Sequence, residues 1–263
     1  MQSAKNSYIL FAQKKPLSIQ ATQEHWLLPP FKKQAGVNKL RSLHPDFDGF
    51  GTSAMKTSME SSVRRGRPYG STGFIYPKKC SHITKPLVKY SHERVSVIEL
   101  ACDNQGIIII NLYLPFLDKS DIENVLRNYN EVLGFAEYVM EENSDAEFVI
   151  LMDFNCNLYD PKHPFFDSLT DFINSHFLTS VYDLSANFRP QSVYSRFDSK
   201  SKSLLDYIFV SKNLCHCIND VHIMNYPDNT SDHLPVEVDL TLKFKSDSAH
   251  KKHQIQRILF SQN

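Results

Sequence analysis

The sequence predicts an α/β protein in which two β-sheets pack face to face with helices outside them. Three observations carry this. Apolar runs of strand length fall into two groups, and two segments with helical apolar spacing each follow a strand. No repeat or linker-like stretch divides the 263 residues, a length that suits one large domain with a sizeable core.

The first run with strand character is residues 17–21, followed by Gln23, Glu24, His25, Trp26 and Leu27. A carboxylate just past a strand end sits where a layered α/β fold would place a metal ligand. A surface Glu fits the same position, while Trp26 and Leu27 read as packing residues. Pro29, Pro30 and the basic stretch to Arg41 read as an exposed loop. From Gly49 to Gly73 the chain is polar and basic, and it includes Arg64-Arg65-Gly66-Arg67-Pro68-Tyr69-Gly70. Glycines let the backbone approach a ligand and arginines take phosphates, so a substrate-facing loop and a solvated loop both fit. Residues 74–76 then read as a short strand.

Residues 95–100 alternate apolar and polar side chains, residues 106–114 are almost continuously apolar, and Asp103-Asn104-Gln105-Gly106 supplies turn residues between them. This is a β-hairpin whose second strand is buried on both faces. Asn111 and Tyr113 share one face of it by the two-residue period. Ser120 and Glu123 match a capping box, and Ile122, Val125, Leu126, Tyr129, Val132, Leu133, Ala136 and Val139 follow at helical spacing.

Residues 147–152 form a short apolar strand that stops at Asp153-Phe154-Asn155. A carboxylate and an amide at the end of a buried strand are costly unless they bond each other or a ligand. Residues 165–177 read as a second helix, 181–184 as the start of the next sheet region and 193–197 as a strand. Residues 204–211 form a further strand interrupted by Asp206. That Asp either caps a turn or orients a catalytic His. Residues 222–226 and 231–244 finish the sheet. Within them Ser231-Asp232-His233-Leu234-Pro235-Val236 sets an acid beside an imidazole just before an apolar strand. Such an Asp can hold a cation or a water, and an imidazolium can stabilise charge on a phosphoryl oxygen; a solvated loop pair is the ordinary alternative. From Lys245 the chain is polar and basic without periodicity and is expected to fray.

Formal net charge is zero, which argues against nucleic-acid binding by bulk charge alone. The zero hides an asymmetry. Residues 1–100 carry 16 Lys and Arg against 6 Asp and Glu, and residues 101–263 carry 13 against 23, which fits a basic surface feeding an acidic cleft. Cys80, Cys102, Cys156, Cys215 and Cys217 follow no zinc or disulfide spacing, although Cys215-His216-Cys217 has metal-binding residue types. Free thiols, no apolar run of membrane-spanning length and no signal-peptide pattern point to an intracellular protein, nuclear or cytoplasmic and not secreted.

Taken in order, Gln23-Glu24, Asn111-Leu112-Tyr113-Leu114-Pro115, Asp153-Phe154-Asn155, Ser203-Leu204-Leu205-Asp206-Tyr207 and Ser231-Asp232-His233-Leu234-Pro235-Val236 resemble the endonuclease/exonuclease/phosphatase (deoxyribonuclease I-like) superfamily. The likeness runs from about Leu17 to Phe244. Gly66-Arg67-Pro68-Tyr69-Gly70 and Leu205-Asp206-Tyr207 look most like the endonuclease domain of LINE-type (non-LTR) retrotransposons. The resemblance implies a four-layer α/β sandwich of two mixed sheets with the site where the sheets meet at one edge. It also implies Mg²⁺-dependent cleavage of DNA, with Mn²⁺ as an alternative ion, leaving 5′-phosphate and 3′-hydroxyl ends. By position Glu24 would hold the metal together with Asp232. Asp153 would orient or deprotonate the water, Asn155 and Tyr113 would contact the scissile phosphate, and His233, held by Asp206, would stabilise the transition state. Asn111, Arg67 and Tyr69 are expected at the substrate.

Family members begin with a strand that carries an Asn of the metal shell. Only residues 1–15 precede Pro16 here, with Asn6 a poor match, so the resemblance implies a chain shortened at its start and lacking a central strand. The expected limits are a segment 1–15, a domain 16–244 and a tail 245–263. Two other readings stay open: a phosphatase or phosphodiesterase acting on a small or lipid substrate, and a silent remnant that only binds nucleic acid or a protein partner. No protein-partner or membrane-binding feature is evident in the sequence.

Overall fold

The computed structural model describes residues 18–25, 40–41, 44–53, 70–103, 105–186, 188–189, 192–198, 200–225, 229, 231–244 and, by backbone, 257–262. Its elements in order are β1 (Ser18–Gln23), β2 (Phe47–Gly51), β3 (Thr72–Pro77), β4 (Thr84–Pro86), β5 (Val95–Ala101), β6 (Gly106–Tyr113), α1 (Ile122–Glu141), β7 (Glu147–Asp153), α2 (Phe166–Ser175), β8 (Leu178–Ser180), α3 (Val181–Leu184), β9 (Arg196–Phe197), β10 (Lys202–Ser203), β11 (Asp206–Ser211), β12 (Ile218–Ile223), β13 (Val236–Leu240) and β14 (Arg257–Gln262).

Two six-stranded mixed sheets result, in the orders β12-β13-β14-β1-β3-β2 and β4-β5-β6-β7-β11-β8. Parallel pairing joins β1 to β14 in the first and β6 to β7 in the second. Ile107–Ile110 explains the second sheet's centre. Four β-branched residues in a row favour the extended chain, and all are buried, as a strand covered on both faces requires. Ile19, Ala21, Val236 and Val238 of the first sheet and Val97, Leu151 and Ile208 of the second belong to one apolar core. α1 buries Tyr129, Val132, Leu133, Ala136 and Val139 of the stripe that its sequence spacing predicts, and Met140 besides; Val125 and Leu126 are half-buried and Ile122 is exposed. The Tyr129 ring stacks on Phe165 at 4.2 Å.

The β5–β6 hairpin forms as expected, antiparallel from Val95 with Leu112 to Ala101 with Gly106. Several elements differ from expectation. Ser120 does not cap α1: Asp121 takes that position without a side-chain bond, and the Ser120 hydroxyl donates to Asp118 at 2.6 Å. Residues 181–184 form a helical turn capped by Ser180, and the strand is the preceding β8. The expected strand 193–197 is reduced to β9. Residues 257–262, expected to fray, form β14 and hold the centre of the first sheet, where the sequence suggested a strand was lacking.

Candidate active site

The strand directions gather the polar residues at one edge. β6 and β7 run parallel and end side by side at Tyr113 and Asp153, while antiparallel β11 begins opposite them, so Asp206 pairs with Asp153. In the first sheet β1 ends next to Glu24, and Asp232 and His233 lie just before β13.

Asp153 and Asp206 are both 1 % exposed, and their carboxylates and the His233 ring lie within 4.8 Å of one another. His233 Nδ1 and Asp206 Oδ2 are 2.8 Å apart. Burial pulls the His233 pKa down. The Asp206 charge and hydrogen bond, with Asp153 and Asp232 adding to them, outweigh that and hold the imidazole at about 9 against an ordinary 6.5. It is therefore an imidazolium at neutral pH, and Asp206 fixes its orientation.

Asn155 sits in the left-handed region at φ 50°, tolerable for Asn, and so turns back on Asp153. Its backbone N–H donates to Asp153 Oδ1 at 2.9 Å, and its amide donates to Asp153 Oδ2 at 3.0 Å and to the Leu114 carbonyl at 2.9 Å. Asn155, expected at the phosphate, thus donates to both Asp153 oxygens. Tyr113 donates its hydroxyl to Glu24 Oε1 at 2.8 Å. Burial raises its pKa, as do the nearby Glu24 and Asp153 charges, so it remains a neutral donor. Glu24 also has a positive φ, 49°, and its N–H donates to the Ser71 carbonyl at 2.9 Å. Ser71, at φ 78°, is held in turn by Glu93. Left-handed backbone at a non-glycine residue costs energy, and it persists where the surroundings fix it.

Two expected residues are placed differently. Asn111 is fully buried between the sheets: its amide donates to the Thr22 and Gly73 carbonyls at 2.9 and 3.0 Å, and its oxygen accepts from Gln23 Nε2 at 2.9 Å. It joins β6 to β1 and β3 and has no surface to offer a substrate. Asp232 is half exposed and pairs with Arg196 Nε at 3.3 Å, and it is outside the Asp153, Asp206 and His233 group. Arg67 and Tyr69 lie outside the described residues.

Three further residues shape the site. The Arg94 guanidinium lies 5.1 Å from the Tyr113 ring centre and places a cation beside that ring. His25 is buried, which lowers its pKa to about 4 and keeps it neutral next to Glu24. Ser195, fully buried, laces the segments that carry Asp206 and His233 together. Its hydroxyl accepts from the Leu205 and Asp206 N–H groups, both at 3.0 Å, and its carbonyl accepts from Leu234 N–H at 2.6 Å. No local pattern marks Arg94 or Ser195, because their roles depend on groups distant in sequence. Ser195→Ala would leave the buried Asp206 N–H and the half-buried Leu205 N–H without that acceptor, an expected loss of about 1–3 kcal/mol in urea unfolding.

No protein-family model matches the chain, and no curated protein does. Solved structures do. The AP endonuclease LMAP from Leishmania major matches with a TM-score of 0.67 at 15% identity, covering 89% of this chain and 82% of its own. The chain has the DNase I-like α/β sandwich fold. The Xenopus laevis APE2 catalytic domain shares this fold with a TM-score of 0.65 at 14% identity over 94% of this chain and 89% of its own. The 3′ phosphatase NExo from Neisseria, bound to a product DNA hairpin, gives 0.60 at 17% identity over 89% and 93%. Among the described residues no helix of the DNase I-like domain is long and apolar enough to cross a membrane.

The donors at the site suit a hard divalent cation. Glu24 and Asp153 offer carboxylate oxygens, and Asp206 Oδ1 is buried with no hydrogen-bond partner among the described residues. All five cysteines are free, and none belongs to the Asp153, Asp206 and His233 group.

Proposed function

We propose that the protein is a Mg²⁺-dependent phosphodiesterase of the LINE endonuclease type that nicks DNA. The observation that carries this is the Asp206-held imidazolium of His233 beside the Asn155-bonded carboxylate of Asp153, with Tyr113 paired to Asp153 on the neighbouring strand and bonded to Glu24. Glu24 would hold the cation with a carboxylate neighbour; bound there, it would supply charge neutralisation at a phosphoryl oxygen. Asp153, acceptor-only and fixed in place, takes a proton from the attacking water. The water oxygen bonds to phosphorus, the P–O3′ bond breaks, and the leaving oxygen takes a proton from solvent water while Asp153 returns its own to solvent, giving 5′-phosphate and 3′-hydroxyl ends. His233 stabilises the charge that grows on the phosphoryl oxygen. Arg94 adds a second cation for the DNA backbone.

The test is nicking of supercoiled plasmid by the purified chain. Mg²⁺ should give open circles that DNA ligase reseals, and EDTA should abolish their formation. Release of phosphate from inositol phosphates without plasmid nicking would overturn the DNA reading.

A further inference from the structure

We propose that the last strand, β14, is the spacer that sets the distance between Glu24 and His233 and so belongs to the working site. β14 lies between β13 and β1 in the first sheet. It pairs in parallel with all of β1, from Ser18 with Arg257 to Gln23 with Gln262, and antiparallel with β13, from Val236 with Phe260 to Asp239 with Arg257. Glu24 follows Gln23 directly, and His233 lies three residues before Val236.

Within the first sheet, the strand that leads to Glu24 and the strand that follows His233 therefore have no ladder with each other. Each is in register with the other only through β14. Neighbouring strands lie about 4.8 Å apart, so one inserted strand holds its two neighbours roughly 10 Å apart and fixes their slide. Without it both β1 and β13 would present a row of unpaired N–H and C=O groups inside the sheet. The second sheet holds the same two residues from its own side, Glu24 through the Tyr113 hydroxyl on β6 and His233 through Asp206 on β11, with β7 between those strands. The first sheet matches that separation only through β14. A segment that begins 17 residues beyond β13's end thus governs a site whose named residues all lie before residue 234.

The role in catalysis rests on the phosphodiesterase reading; the role as spacer does not, and hydrogen exchange on the full chain separates them. In the wild type, amides of β14 should be protected together with those of β1 and β13, by about a thousandfold or more over free-peptide rates. Leu259→Pro removes a donor from the middle of the strand, where a ladder does not tolerate proline. It should reduce protection of β1 and β13 at least a hundredfold, leave β5, β6 and β7 protected, and lower nicking at least a hundredfold. Free-rate exchange of residues 257–262 in the wild type, with β1 and β13 still protected, would overturn the proposal. So would a Leu259→Pro protein with unaltered protection of β1 and β13. A protected β14 in a wild type that does not nick would support the spacer and count against the nuclease reading alone.

Discussion

Asp153→Ala should lower Mg²⁺-dependent nicking about a thousandfold or more, the range for loss of a positioned proton acceptor. Stability should fall only modestly. The substitution leaves the Asn155 N–H without its carboxylate acceptor, and it also removes a buried charge that sits beside Asp206, which is itself costly to keep. Asp153→Asn is not a milder change. Asp153 accepts at one oxygen from the Asn155 backbone N–H and at the other from its NH₂, so either orientation of an amide there would set its NH₂ against a donor and still lack the acceptor for the water proton. Plasmid nicking at fixed pH, with thermal unfolding of each variant alongside, is the measurement. An Asp153→Ala protein that nicks within tenfold of wild type would refute the assigned role.

The two acids at this edge carried one signal in the sequence: a polar residue against an apolar run of strand length. Asp153 closes its strand and Asp206, read as interrupting one, opens β11, and the structure gives both carboxylates buried positions with specific partners. The same signal misled at Asn111. A polar residue in a buried strand is satisfied equally well by a neighbouring sheet, and here Thr22, Gly73 and Gln23, each at least 38 positions away, take all its bonds. Asp232 was legible as an acid next to a histidine, but its ion pair with Arg196 depends on β9 lying against the 232–234 segment, where Phe197 N–H donates to the Asp232 carbonyl. Ser195 was read as part of a strand. Its importance comes from being the acceptor for two N–H groups some ten residues later, a tertiary fact with no periodicity. β14 is the largest omission: Ile258-Leu259-Phe260 is a short apolar run after a polar stretch, and only the open ladders of β1 and β13 make it a strand.

Asp206→Asn should move the alkaline limit of activity and so separate orientation from charge at His233. In the wild type the raised His233 pKa means that the stability from the His233–Asp206 pair is fully present below pH 6.5 and is lost as pH rises through about 9. The imidazolium disappears over the same window, so nicking should decline above about pH 9. Asn in place of Asp206 can still accept a hydrogen bond from Nδ1, so the ring stays oriented, but the main charge that raises the pKa is gone. Burial then dominates and lowers it. The variant should lose about a hundredfold in nicking at pH 7.5, recover part of it in mildly acidic buffer, and show a lower His233 midpoint in an NMR titration of the ring protons. The conservative substitution at a merely structural residue would scale the whole profile down without moving its alkaline limb. An unmoved limb in Asp206→Asn would therefore reject the imidazolium as the group that stabilises charge on the phosphoryl oxygen.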